Sequence, residues 1–420
     1  VYSPRSPDPD SDRRAGVLRP VNKHHPAATV ARLGTAQTLA WASTYYLPAI
    51  LAVPMARDMG VSVAMVFAAF SCALVVSALL GPYAGRSIDH WGGRPVLVAT
   101  SAVFALGLAA LAMAQGAWGL FAAWVLIGVG MGSGLYEAAF AALVHLHGKN
   151  ARNSITGITL IAGFASTVGW PLSMWMESQW GWRGACWAWA VLHLVVGLPL
   201  NAWTPRRGVA EASPVGSAAG AAAPVADAAP SHARRSTVLL AFVFAATWFT
   251  STAMAAHLPR LLQEGGATLA TAVAVGALVG PAQVAGRLLE FGLLRHVHPL
   301  LSARLAALMH PLGAGLLAVA GAPVAAVFAL FHGAGNGILT IAKGTLPLVL
   351  FGPAGYGHRQ GLLMVPARIA QAAAPWLFGL CLDRLGAGAL WVSAGLGVAA
   401  FVALLAVAAP AGTGPRARRA

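Results

Sequence analysis

Long apolar runs separated by short polar joints fill this chain from about residue 32 to about residue 409. A helix needs roughly 20 apolar residues to cross the hydrocarbon of a bilayer. Runs of that kind fall at about 32–54, 63–84, 95–115, 118–145, 155–176 and 184–203, then at about 237–259, 268–288, 302–321, 323–351, 361–381 and 387–409. The pattern predicts an all-α membrane protein of twelve spans in two sets of six. Between the sets lies 204–236, rich in Ala, Pro, Gly and Ser, with an Arg pair at each end. Such a composition reads as a flexible linker. The predicted layout is a tail over 1–30, a six-helix bundle over 31–203, the linker over 204–236, a second bundle over 237–409 and a basic tail over 410–420. Residues 1–30 are polar and hold no apolar core of a signal peptide, so the first span is expected to act as the insertion signal.

Composition agrees with a lipid solvent. Of the 420 residues 58% are hydrophobic and 9% charged, with mean hydropathy +0.70, against about 25% charged in soluble domains. The net charge of +15 is spread between apolar runs, which argues against a nucleic-acid face. With both termini placed in the cytoplasm, inner segments hold 21 Lys and Arg and outer loops four. That asymmetry is what the positive-inside rule demands, and it predicts a multi-pass membrane protein with both termini cytoplasmic. The stretches GFASTVGWPL and GAGNGILTIAKGTLPL resemble a bacterial branch of a transporter superfamily, which implies an inner membrane. Cys72, Cys186 and Cys381 stand apart in apolar runs and read as small fillers. Among 13 histidines there is no HExxH, and His24-His25 and His145-Leu-His147 have no partners at ligand spacing. No metal, cofactor or enzymatic activity is expected. No GxxxxGK[ST] occurs, so an ion or solute gradient rather than ATP would supply the energy.

The fourth span carries Gly130-Met-Gly132-Ser-Gly134 and the tenth Gly333-Ala-Gly335-Asn-Gly337. The same glycine spacing at the same ordinal position points to a duplicated six-helix unit. Between the second and third spans stands Gly85-Arg-Ser-Ile-Asp89-His-Trp-Gly92-Gly93-Arg94. This resembles GxxxDxxGxR, the cytoplasmic signature of the major facilitator superfamily, with His90 and Gly93 where basic residues are usual. The resemblance covers about residues 30–409 and implies the major facilitator fold. It also implies that Asp89 latches onto the start of the eleventh span, here near Gly361 and Leu362, with Gly85 allowing close approach and Gly92 and Arg94 supporting the loop. The corresponding loop of the second half follows Gly286-Arg287-Leu-Leu-Glu290. There Arg287 and Glu290 form either a degenerate copy of the latch or a local ion pair one turn apart.

Charged side chains deep in a span are costly and tend to be functional. Glu137, Lys343 and Arg368 lie at similar depth, roughly 10–12 Å from the cytoplasmic helix ends. Glu137 is expected to pair with Lys343 or Arg368, either as a gate that opens or as a fixed structural pair. In the first span Gln37, Trp41, Tyr45 and Tyr46 precede Pro48; in the seventh, Trp248 and His257 precede Pro259. These are candidate cavity walls, with an interfacial aromatic belt as the alternative. Asn336 could face the cavity or a neighbouring helix.

Together these features predict a monomeric secondary transporter for a small solute, an organic anion among the candidates, driven by protons through alternating access. A sensor that kept the transporter fold and a membrane-embedded enzyme are the rival classes.

Overall fold

The computed structural model describes residues 26–205 and 230–407. Most of the expected tails and linker therefore lie outside the described residues. Every regular element among the described residues is helical. The first half comprises α1 (Pro26–Ser43), α2 (Leu47–Met59), α3 (Val63–Trp91), α4 (Gly93–Met113), α5 (Gly116–Gly134), α6 (Tyr136–His147), α7 (Arg152–Ala162), α8 (Ala165–Leu192) and α9 (Leu198–Ala202). The second comprises α10 (Pro230–Glu264), α11 (Leu269–Gly292), α12 (Pro299–Ala320), α13 (Ala325–Phe351), α14 (Tyr356–Leu385) and α15 (Ala389–Ala406).

Eight stretches among the described residues are long and apolar enough to cross a membrane. Two of them hold several helices: 116–202 contains α5 to α9, and 356–406 contains α14 and α15. Large apolar side chains such as Trp118, Leu106, Val319 and Trp376 lie on the outer surface, where lipid rather than water suits them.

Three runs that read as continuous spans are broken. The first divides at Thr44–Tyr46 into α1 and α2. The fourth divides at Leu135, whose extended backbone (φ −83°, ψ −166°) separates α5 from α6. The fifth divides at Gly163–Phe164 into α7 and α8. Further on, Gly181 (φ 66°, ψ 174°) kinks α8 at the joint between the fifth and sixth expected spans.

The glycine runs set the packing. A Cβ on Gly128 or Gly132 of α5 would stand 2.6 and 2.9 Å from the Ala73 and Ser77 carbonyl oxygens of α3. In the second half a Cβ on Gly333 would stand 2.6 Å from the Val279 carbonyl of α11, and one on Gly335 would stand 2.7 Å from the Ala306 carbonyl of α12. The fourth span thus packs backbone-close on the second, and the tenth on the eighth, as a repeat requires. One large apolar cluster fills the first half, and two smaller ones fill the second.

The halves meet along α3 and α14, where Gly81 and Gly85 face Gly357 and Gly361. A Cβ on Gly361 would lie 2.5 Å from the Pro82 Cα, so only hydrogen fits there. At the end where α3 turns into α4, α7 also packs on α11 and α13, and α6 on α14. At the opposite end the ion pairs of the described residues stay within one half. Arg183 meets Asp58 at 2.9 Å, and Arg260 meets Asp383 at 2.8 Å.

Candidate functional site

The centre of the molecule is an aromatic and charged cluster drawn from both halves. Trp41 of α1 and Trp248 of α10 stack with ring centroids 6.4 Å apart and planes 2° from parallel. The Lys343 ammonium lies 4.1 Å from the Trp248 ring centroid. The Arg368 guanidinium lies 5.4 Å from the same ring and 6.0 Å from that of Trp41. Arg368 Nη2 donates to Glu137 Oε2 at 2.9 Å, and Nη1 donates to Gln371 Oε1 at 3.1 Å. Gln371 Nε2 in turn donates to the Tyr45 hydroxyl at 2.8 Å. A continuous polar chain therefore runs from α6 through α14 to the turn after α1.

The charges in this cluster do not balance. Lys343 is 4% exposed and Arg368 2%, and Glu137 is the carboxylate that meets them. Among the described residues the Lys343 ammonium makes no direct hydrogen bond or ion pair; it rests on the Trp248 face, with Glu137 acting on it at longer range. A cation–π contact of this kind recovers about 2 kcal/mol when desolvated, which is less than the several kcal/mol that burying an ion costs.

Helix irregularities supply the positions. The break at Leu135 puts Glu137 in the first turn of α6, where free N–H groups and the helix dipole favour a carboxylate. The carbonyl of Gly134 at the break accepts from Gln37 Nε2 at 2.7 Å. In α13, Pro347 lacks the N–H that would bond the Lys343 carbonyl; Gln360 Nε2 of α14 bonds that carbonyl at 3.0 Å.

Several side-chain ties join the halves at the end near the α3–α4 turn, two of them made through carboxylates. Asp89 Oδ1 accepts from the Gly357 N–H at 2.8 Å and Oδ2 from the His358 N–H at 2.9 Å. The carboxylate of one half thus caps the first turn of α14 in the other. This helix starts at Tyr356, five residues before the expected Gly361. The second tie is Arg152 of α7, which donates to Glu290 Oε1 at 3.1 Å and to the Val297 and Leu294 carbonyls. Arg287 does not pair with Glu290; its Nη1 donates to the Thr159 carbonyl of α7 at 3.4 Å, packed against Gly163. Burial, with Arg152 and Arg304 beside it, pushes the pKa of nearby His298 below its ordinary 6.5.

A sequence profile described as the Major Facilitator Superfamily matches residues 33–365. The chain belongs to this superfamily. Solved structures of similar fold include the human organic anion transporter MFSD10, at 18% identity, covering 90% of this chain and 99% of that one with a TM-score of 0.66. They also include the superfamily transporter FucP in its outward conformation, at 16% identity, covering 90% and 98% with a TM-score of 0.67. The proton:xylose symporter XylE is similar at 12% identity, covering 91% and 95% with a TM-score of 0.67. A Thermoproteus tenax relative, an uncharacterized 38 kDa protein in the 23S RNA operon, is 28% identical over 361 residues, 85% of this chain and 89% of its own. Membership makes the chain a multi-pass membrane protein and a solute transporter.

As a superfamily member the chain shows which candidate residues converge. Trp41, Tyr45, Glu137, Trp248, Lys343 and Arg368 form the central cluster, and Gln37 supports it at the α5–α6 break. Tyr46 stands edge-on to Tyr45 and Trp170 in an aromatic row. His257 lies 2.7 Å from the Pro375 carbonyl and ties α10 to α14. Asn336 lines a separate cavity inside the second half. Gly85 and Asp89 form the α3–α14 contact, and Gly92 (φ 82°) joins α3 to α4 in the left-handed region. Arg94 makes no hydrogen bond or ion pair among the described residues. Gln371, Arg152, Gln360 and Tyr136, whose ring lies 4.8 Å from Trp41, join the site without having stood out in the sequence. Gln and Tyr within helices carry no distinguishing spacing, and Arg152 reads as one more loop cation.

Proposed function

We propose that this transporter carries a small organic anion across the bacterial inner membrane by alternating access, coupled to protons. In this reading it is a monomer of twelve spans with both termini cytoplasmic. The observation that supports it most is the surplus cation: Lys343 lies buried over Trp248 with no carboxylate of its own. An anion entering between Trp41 and Trp248 would balance that charge, and the two ring faces would hold a flat or apolar body beside it. Glu137 competes with such an anion for Arg368. Taking up a proton would release Glu137 from the guanidinium, which links anion binding to proton binding. The ties at Asp89 and Arg152 then hold the cytoplasmic side shut, and the ion pairs kept within each half leave the outer side free to part.

The test is current or flux in proteoliposomes against a panel of mono- and dicarboxylates, with neutral sugars as controls. Lys343→Gln and Arg368→Gln are expected to lower anion transport at least tenfold, and Glu137→Gln to flatten its pH dependence. Transport of neutral solutes that is indifferent to Lys343→Gln would exclude the anion reading. An unchanged rate and pH profile in Glu137→Gln, measured in inverted vesicles, would remove that residue from coupling.

A further inference from the structure

Each half encloses a small cavity at the meeting point of equivalent helices. In the first half it lies among α1, α4, α5 and the turn before α9, has a volume of about 10 Å³ and is bridged by hydrogen bonds, with Gln37 Oε1 left without a partner among the described residues. His193 Nε2 there lies 2.7 Å from the Ser43 hydroxyl, and Asn201 Nδ2 donates to Ser101 Oγ at 2.9 Å. Its counterpart among α10, α12, α13 and α15 has about 30 Å³ and is not bridged in this way. His310 Nδ1 and His332 Nδ1 lie 2.9 Å apart. His310 Nε2 and Thr250 Oγ1 line this cavity, both buried and both without a partner among the described residues. His310 is 8% exposed and Thr250 5%. Asn336 and Thr247 complete the polar wall.

Two nitrogens at hydrogen-bond distance must share one proton between them, as donor and acceptor. Whichever ring donates, His310 Nε2 faces the cavity as a group that needs a partner, and the volume suffices for a water molecule. We infer that the His310–His332 pair and the adjoining cavity form a hydrated site that binds one proton reversibly, separate from Glu137. The extra proton adds at His310 Nε2, turning the neutral pair into an imidazolium donating from Nδ1 to a neutral imidazole. A second extra proton would set two N–H groups face to face, so the pair takes one and not two. Among the described residues the titratable side chain within hydrogen-bond distance of His310 is His332. On the lining helices Lys343 is engaged on Trp248, Arg304 on the Leu404 carbonyl and Arg260 on Glu264 and Asp383; on the neighbouring α11 and α14, Arg287 is on the Thr159 carbonyl, Glu290 on Arg152 and Arg368 on Glu137. The cavity shares α10 with the central cluster: Thr247 and Thr250 line it, and Trp248 between them in sequence carries Lys343. Its use in coupling rests on the proton-coupled reading above; its existence does not.

Potentiometric titration of the purified full chain in lipid nanodiscs, with chelator present, tests the site without any substrate. The double variant His310→Gln/His332→Gln is expected to bind one proton fewer per chain than wild type between about pH 8 and pH 4.5. A difference of zero would make the pair an inert core contact, and a difference of two would make the histidines independent; either result overturns the proposal. Should the variant fail to fold, ¹⁵N-histidine spectra of the wild type decide. One imidazole titrating with a proton shared between two ring nitrogens is expected, and absence of the shared proton would refute the site. If the site titrates while proteoliposomes show no proton-dependent flux, the coupling reading fails and the site stands.

Discussion

Arg368 is the residue on which the central cluster turns, because it touches Glu137, Gln371 and the faces of both tryptophans. Removing its carboxylate leaves a buried guanidinium uncompensated, which costs about 3–5 kcal/mol. Glu137→Ala should therefore lower the thermal midpoint of the detergent-solubilised protein sharply, and Glu137→Leu combined with Arg368→Met should restore most of it. A double variant no more stable than Glu137→Ala would show that the pair carries little stability. The three charges were legible in the sequence because ionised groups within apolar runs are rare. Their pairing was not. Similar depth left Lys343 and Arg368 as equal partners for Glu137, and the choice depends on helix rotation, which the break at Leu135 shifts on one side. The stacking of Trp41 on Trp248 was equally hidden, since nothing local marks two rings more than two hundred positions apart as neighbours.

Helix ends decide how the halves are tied. The first turn of α14 has its N–H groups capped by Asp89 from the other half. Asp89→Asn removes the charge while keeping an acceptor, which weakens the tie by about 1 kcal/mol, roughly a fivefold change in the ratio of shut to open forms. A cysteine introduced near the central cluster should then be labelled faster from the side of the α3–α4 turn; an unchanged rate would mean that this cap does not hold the gate. His298 caps α12 by accepting from the Leu300 N–H at 3.2 Å, which requires a neutral ring. Its folded pKa lies below 6.5, so its contribution is complete above pH 6.5 and is lost as pH falls below that value. His298→Asn keeps a cap and should lose this share of the acid sensitivity in melting curves. The glycine signature announced the α3–α14 contact, but the helix start was misplaced by five residues. The stretch Tyr356-Gly-His-Arg-Gln-Gly reads as a polar loop because its polar groups serve the tie rather than water. The breaks at Thr44–Tyr46, Leu135 and Gly163–Phe164 left no trace in hydropathy, since one or two residues of different backbone angle do not interrupt an apolar run.

For the molecule as a whole, the duplicated glycine runs conveyed the plan of two related bundles. If both ends of the chain lie in the cytoplasm, single cysteines in the terminal tails should resist membrane-impermeant reagent in intact cells and react in inverted vesicles. Labelling of one tail from outside would refute an even number of crossings. What the repeat concealed is its inequality. Spans one, four and five are broken in the first half, while α10, α13 and α14 run unbroken in the second, so the helix breaks sit on one side of the central cluster. The seam between α3 and α14 is of another kind. Gly81, Gly85, Gly357 and Gly361 bring main chain against main chain there, with no side chain standing between the helices at those four positions. Such a surface offers little friction to shear, so one bundle can glide and tilt over the other once the side chains at its end, Asp89 and His358, let go.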